Sequence, residues 1–150
     1  MQKDTGPKPA ALTTDELFAL IQETRSLESY LDSAGTNLPP VMSTHAYLAQ
    51  LLKEHKLTKR MVIQEAGLER STGYMIFLGK RNPKRNTLLS IALAMQLTLA
   101  ETQRLLKIAQ RGELYPKNRR DAAIVYCVHH RMKPIDAGIL LDQIGEEPLG

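Results

Sequence analysis

Residues 57–83, Leu-Thr-Lys-Arg-Met-Val-Ile-Gln-Glu-Ala-Gly-Leu-Glu-Arg-Ser-Thr-Gly-Tyr-Met-Ile-Phe-Leu-Gly-Lys-Arg-Asn-Pro, decide how the rest of the chain is read. Thr58 is a good N-cap, because its hydroxyl can accept from a free N–H of a first helical turn. Val62, Ile63 and Ala66 follow at helical spacing. Gly67 stops that helix early, at a point where glycine takes a left-handed conformation cheaply. Leu68 is the apolar residue that the turn can bury. A second short helix carries Ile76 and Phe77 on one side and ends at Gly79, before a basic loop. Two short helices about a glycine turn read as a helix-turn-helix, a unit able to place its second helix in a DNA major groove.

These residues resemble the phage-repressor (XRE, Cro-like) helix-turn-helix family. The resemblance covers about 44–109 and rests on Val62, Ala66, Gly67, Leu68, Ile76, the loop Gly79-Lys80-Arg81-Asn82-Pro83 and a helix over 88–97. It implies a compact five-helix domain that binds double-stranded operator DNA, often as a dimer. The chain departs from the family at several positions. Lys59 stands where Gln is usual, and can still reach a phosphate. Ile63 stands where the family has a small residue, and Gly73 where it has a branched aliphatic. These two positions face each other, so bulk is moved from the second helix to the first and the core volume is kept. The glycine inside the second helix costs about 1 kcal/mol relative to alanine. Tyr74 and Phe77 replace the family's common Ser and Glu, and Glu69 holds an N-cap position better suited to Ser or Asp.

On the second helix the outward positions are Glu69, Arg70, Ser71, Tyr74, Met75 and Leu78. The Arg70 fork matches the O6 and N7 of guanine, Met75 can touch a thymine methyl, and Ser71 and Tyr74 can bond a phosphate or a base edge. Lys59, Lys80, Arg81, Lys84 and Arg85 suit the task of holding the backbone without reading sequence. Arg60 and Thr72 complete the candidate set. The same face, with one cation, one anion and three bulky apolar or aromatic groups, also suits a protein surface. Two functions therefore stand side by side. The first is a sequence-specific DNA-binding regulator of repressor type, with the helix at about 69–78 in the major groove. The second is a helical adaptor that keeps the fold and binds a protein partner.

Charge distribution favours the first. The net charge is +4, but residues 1–43 hold three Lys or Arg against six Asp or Glu, which is −3. Residues 56–85 hold eight cations against Glu65 and Glu69, which is +6, and phosphate contacts would fall there. With 150 residues, 43% of them hydrophobic, the chain can build one domain with appendages. Having no Trp and two Phe, its core must consist of Leu, Ile, Ala and Met. No run approaches the roughly eighteen apolar residues of a membrane span. The polar N-terminus lacks a secretory apolar region, and the single Cys127 excludes an internal disulfide. A cytoplasmic location is expected.

The expected organisation is all-α, with three segments. Residues 1–43 comprise a disordered stretch (1–11), an acidic amphipathic helix and a linker (35–40). Thr13-Thr14-Asp15-Glu16 is a capping box, and the helix it opens should reach Leu31 or Asp32, with Leu17, Leu20, Ile21, Leu27 and Leu31 in one stripe. That stripe either braces the domain or forms a dimerisation or partner-binding arm. Residues 44–111 are the helix-turn-helix domain. Ser43 or Thr44 caps its first helix, Asn86 or Thr87 opens a buried central helix, and Thr98 with Glu101 forms a second capping box. Residues 112–150 form a C-terminal helical hairpin echoing 91–109, with Pro134 in the first turn of its last helix and Tyr115-Pro116 at the joint. Arg119 and Arg120 could extend the basic surface.

Nothing in the sequence points to catalysis, a cofactor or a metal. His45 and His55 are too far apart for one helix face, and His129 and His130 point in different directions, so no metal site is expected. Cys127, amid Ile124, Val125, Tyr126 and Val128, reads as a buried small hydrophobe. There is no Gly-rich phosphate loop or nucleophile motif.

Overall fold

The computed structural model describes residues 13–23 and 42–150. The expectations for 1–11, for the helix end near 31–32, for the apolar stripe and for the linker lie outside the described residues. The chain forms two units, 1–41 and 42–150. In the first, α1 (Thr14–Glu23) opens on the expected capping box. Glu16 N–H donates to Thr13 Oγ1 and Thr13 N–H donates to Glu16 Oε1, each at 3.1 Å.

The second unit is built from α2 (Thr44–His55), α3 (Lys59–Glu65), α4 (Arg70–Phe77), α5 (Arg85–Ala94), α6 (Leu99–Ile108), α7 (Arg119–His129) and α8 (Pro134–Gln143). Among the described residues there is no strand. The described residues are all-helical in their regular structure, as their periodicity requires. Each start has a local cause. Ser43 accepts from Ala46 N–H at 3.2 Å, Thr58 from Met61 N–H at 3.2 Å, and Asn118 from Asp121 N–H at 2.9 Å. Thr98 and Glu101 cap one another. Pro134 occupies the first turn of α8, where no N–H is missed, as expected.

Each of these helices is followed by a residue in the left-handed region: Lys56, Gly67, Gly79, Gln96, Gln110, Arg131 and Gly145. That conformation lets the next N–H groups reach back to the orphan carbonyls, as when Leu68 N–H donates to Ile63 O at 3.1 Å. Gln96 and Arg131, both at φ 53°, occupy matching turns of the two helical hairpins, and Gln96 Nε2 donates to Arg131 O.

The core gathers around α5, which packs on α3, α6, α7 and α8. Every residue from Leu88 to Leu93 in it is buried. The helix starts at Arg85, earlier than the expected Asn86 or Thr87, and its N-cap, Lys84, makes no side-chain cap bond. The start is held from outside instead, by Arg85 itself. Its guanidinium donates from Nη1 and Nη2 to the two Asp121 oxygens at 3.0 and 2.9 Å, from Nε to Gly112 O and from Nη2 to Glu113 O. Asp121 is only 7% exposed and also accepts from Tyr115 N–H. Burial pushes the Asp121 carboxyl up, but the Arg85 hydrogen bonds, the Tyr115 amide and the nearby Arg85 and Arg120 charges outweigh it. The group therefore titrates below the usual range. Gln103 pins both the N–H and the C=O of Leu114, and Arg111 Nε donates to Pro83 O. The joint at 109–118 is thus fastened to the loop in front of α5, and the C-terminal hairpin shares one core with α2–α6.

Candidate nucleic-acid interface

Two adjacent positions fix how α3 carries α4. A Cβ built on Gly73 would lie 2.7 Å from both Ile63 Cγ1 and Ile63 Cγ2, with Ile63 itself 3% exposed. Ile63 therefore fills the space that a branched residue at 73 would take, and the exchange of volume expected from the sequence is what the core contains. At the other end of α4, Gly79 has φ +79°, and a Cβ there would strike the ring of His45. Backbone and neighbour both require glycine, so the basic loop leaves α4 in one direction.

Glu69 proves a better cap than its residue type suggests. Its Oε2 accepts from Ser71 N–H at 3.0 Å, and its Oε1 from Thr72 N–H at 3.0 Å and Thr72 Oγ1 at 2.8 Å. The Thr72 hydroxyl and the Thr72 and Ser71 amides hold this exposed carboxyl below the usual range. Glutamate's extra methylene is absorbed by folding back over the first turn. Thr72 is consequently half-buried and occupied as a capping donor, which departs from its expected place on the reading surface.

α4 packs on α2 and α3, and its remaining side is open. Arg70 and Ser71 are exposed, Met75 is 40% exposed and Leu78 55%. Tyr74, expected to face outward, is half-buried against the core. It lines an open hollow of about 250 Å³ with Arg60, Ile63, Gln64, Leu68 and Arg70.

The cations divide into two groups. Among the described residues, Lys59, Arg60, Arg70, Lys80, Arg81 and Lys84 make no ion pair, and all but the half-buried Lys59 are exposed. Arg85, expected beside them, is removed from the set by its four hydrogen bonds to Asp121, Gly112 and Glu113. Arg119 and Arg120 are likewise committed. Arg119 pairs with Glu146 at 2.8 Å and reaches Ile144 O, while Arg120 holds Glu147 O, Pro148 O and Asn86 Oδ1. These arginines fasten the C-terminal tail. Sequence reasoning set Arg85 among the backbone-holding cations and let Arg119 and Arg120 extend that surface, because their partners are distant in the chain.

Other candidate chemistry is sparse. Among the described residues no group of three His, Cys, Asp or Glu converges as a metal site. His55 is paired with Glu101 at 3.0 Å, and His129 and His130 meet edge to face. Cys127 is buried, and burial pushes its thiol up, away from nucleophilic use. No described helix is long and apolar enough to cross a membrane. Comparison with protein-family models, with curated proteins and with solved structures finds no match to this chain.

Proposed function

We propose that this chain is a sequence-specific DNA-binding regulator, that α2–α6 form a five-helix domain of repressor type, and that α4 enters the major groove. The observation that carries this reading is the division of the cations. Those on α3, α4 and the loop after α4 are left without internal partners, whereas Arg85, Arg119 and Arg120 are used up inside the chain. Unpaired, exposed cations around an open short helix are what a phosphate backbone needs. Arg70, in the first turn of α4, reads guanine, and the anchored Glu69 carboxylate beside it retains lone pairs able to accept from cytosine N4. Lys80, Arg81, Lys84, Arg60 and Lys59 hold the strands.

Fluorescence anisotropy with genomic fragments tests the reading. With these five cations each neutralising one phosphate per chain, log K should fall with log salt at a slope of about −4.5. Arg70→Ala should relax sequence preference, Lys84→Ala should weaken all sequences alike, and Arg119→Ala should change neither. Absence of salt-sensitive binding at low ionic strength ends the proposal.

A second reading has its own support. Met75, Leu78 and, on α3, Met61 (56% exposed) present apolar surface where a nucleic-acid reader usually has polar groups. A helical adaptor would use them to bind a protein. A partner recovered from nuclease-treated lysate, and lost on Leu78→Asp, would favour it over DNA.

A further inference from the structure

We propose that the outer face of α8 docks a second copy of this chain, by antiparallel pairing of α8 with its twofold mate. α8 is apolar on opposite sides. Ala137 and Leu141 are fully buried in the chain's own core, while Ile135 and Ile139 stand 70% and 53% exposed. A helix apolar all round is ordinarily enclosed by protein, and here the chain covers one side only. Ile135, Gly138, Ile139 and Asp142 follow the i, i+3, i+4, i+7 spacing and share one stripe.

Gly138 is an independent observation. A Cβ there would meet nothing within 4 Å, and its φ lies outside the left-handed region. Nothing within the chain requires glycine in the middle of a helix that it weakens. Set between two exposed isoleucines, it leaves room for another helix backbone to approach closely, since interaxial distance depends on the side chains at the contact.

The charges name the occupant. Arg131 and Lys133, both exposed, precede α8, and the exposed Asp142 lies in its last turn, with no base there. Asp136 in the first turn follows the helix dipole, but Arg131, Lys133 and Asp142 oppose it. A second α8 laid antiparallel sets Asp142 of each copy against Arg131 and Lys133 of the other, and a twofold contact of this kind is self-complementary. Arg131 makes no ion pair among the described residues, and Lys133 has one exposed link to Glu65 at 3.8 Å. Helices of about 15 Å bury a small area, so the dimer dissociates in the micromolar range. Dimerisation through α8 is independent of what α4 binds.

Sedimentation velocity of the full chain between about 1 and 200 µM is the test. A reversible monomer–dimer equilibrium is expected, shifted to monomer by Ile139→Asp with an unchanged far-UV CD spectrum. Asp142→Arg should weaken the dimer by about tenfold, and adding Arg131→Asp should restore it. Gly138→Ala should weaken the dimer while raising the thermal midpoint of the monomer, a pair of effects that a purely structural glycine cannot give. A chain that stays monomeric across the range overturns the proposal and leaves the stripe to a different protein. A dimer indifferent to Ile139→Asp overturns it as well, and moves self-association to another surface. Failure of the charge exchange to rescue overturns the antiparallel arrangement.

Discussion

Ile63 and Gly73 should behave as one unit, and a double-mutant cycle measures it. Ile63→Ala removes three buried carbons, about 2.4 kcal/mol of transfer energy at roughly 0.8 kcal/mol per CH₂. The cavity left behind brings the loss to about 3 kcal/mol. Gly73→Val alone gains a few tenths of a kcal/mol in helix propensity, but its Cβ would arrive 2.7 Å from two carbons of the buried Ile63 side chain. Overpacking of that kind costs about 2 kcal/mol. Together the two changes return three carbons to the space that three have left, so the double variant should lie within about 1 kcal/mol of the parent. Against single losses of about 3 and about 2 kcal/mol, the coupling is then about 4 kcal/mol, above what contacting residues usually show. Urea unfolding followed by far-UV CD reads each corner of the cycle, with equal m-values as the check that the denatured state is unchanged. On the proposed function, the double variant should also bind DNA as the parent does, because the crossing of α3 and α4 is preserved. Losses that simply add, to within about 0.5 kcal/mol, would refute the idea that Ile63 occupies the missing side chain's volume.

Other outcomes follow from single observations. Arg85→Ala strips a nearly buried carboxylate of its partner and should cost about 3 kcal/mol in the same urea titration. Because the folded Asp121 titrates below its usual value of 3.8, its stabilisation is complete above that value and is lost as pH falls through the lower, folded one. Asp121→Asn should therefore flatten the acid limb of the stability–pH curve below about pH 4 and lower the plateau above it. Lys56→Gly and Gln110→Gly, at φ 56° and 58°, should each stabilise by about 0.5–1 kcal/mol and raise the thermal midpoint by a few degrees. Cys127 should react with a thiol reagent only as fast as the unit 42–150 opens, so labelling rates should rise with urea in step with unfolding.

Much of the fold was legible because the signals are local. Thr58, Thr98 with Glu101, Thr13 with Glu16, Gly67 and Pro134 each act on backbone groups within a turn of themselves, and each does what its type and position announce. The facing pair Ile63 and Gly73 was legible too, through the complementarity of one large and one absent side chain. Glu69 was undervalued, because its reach back to Ser71 and Thr72 depends on a rotamer that residue type does not specify. Tyr74 was expected to face outward, because helical period alone does not show that its ring packs against the core.

By itself, the sequence determined the all-helical class, the order of the helices, the buried character of α5 and the excess of cations over 56–85. Tertiary structure alone decided which of those cations have partners. Arg85 meets an acid 36 positions further on, while the other cations of α3, α4 and the following loop make no ion pair among the described residues. Helix caps and turns are contests between neighbours in the chain, so composition and spacing resolve them. The pairing of one guanidinium among many is a contest between groups distant in sequence, and it is settled only when packing around α5 brings Asp121 and the 109–118 joint to Arg85.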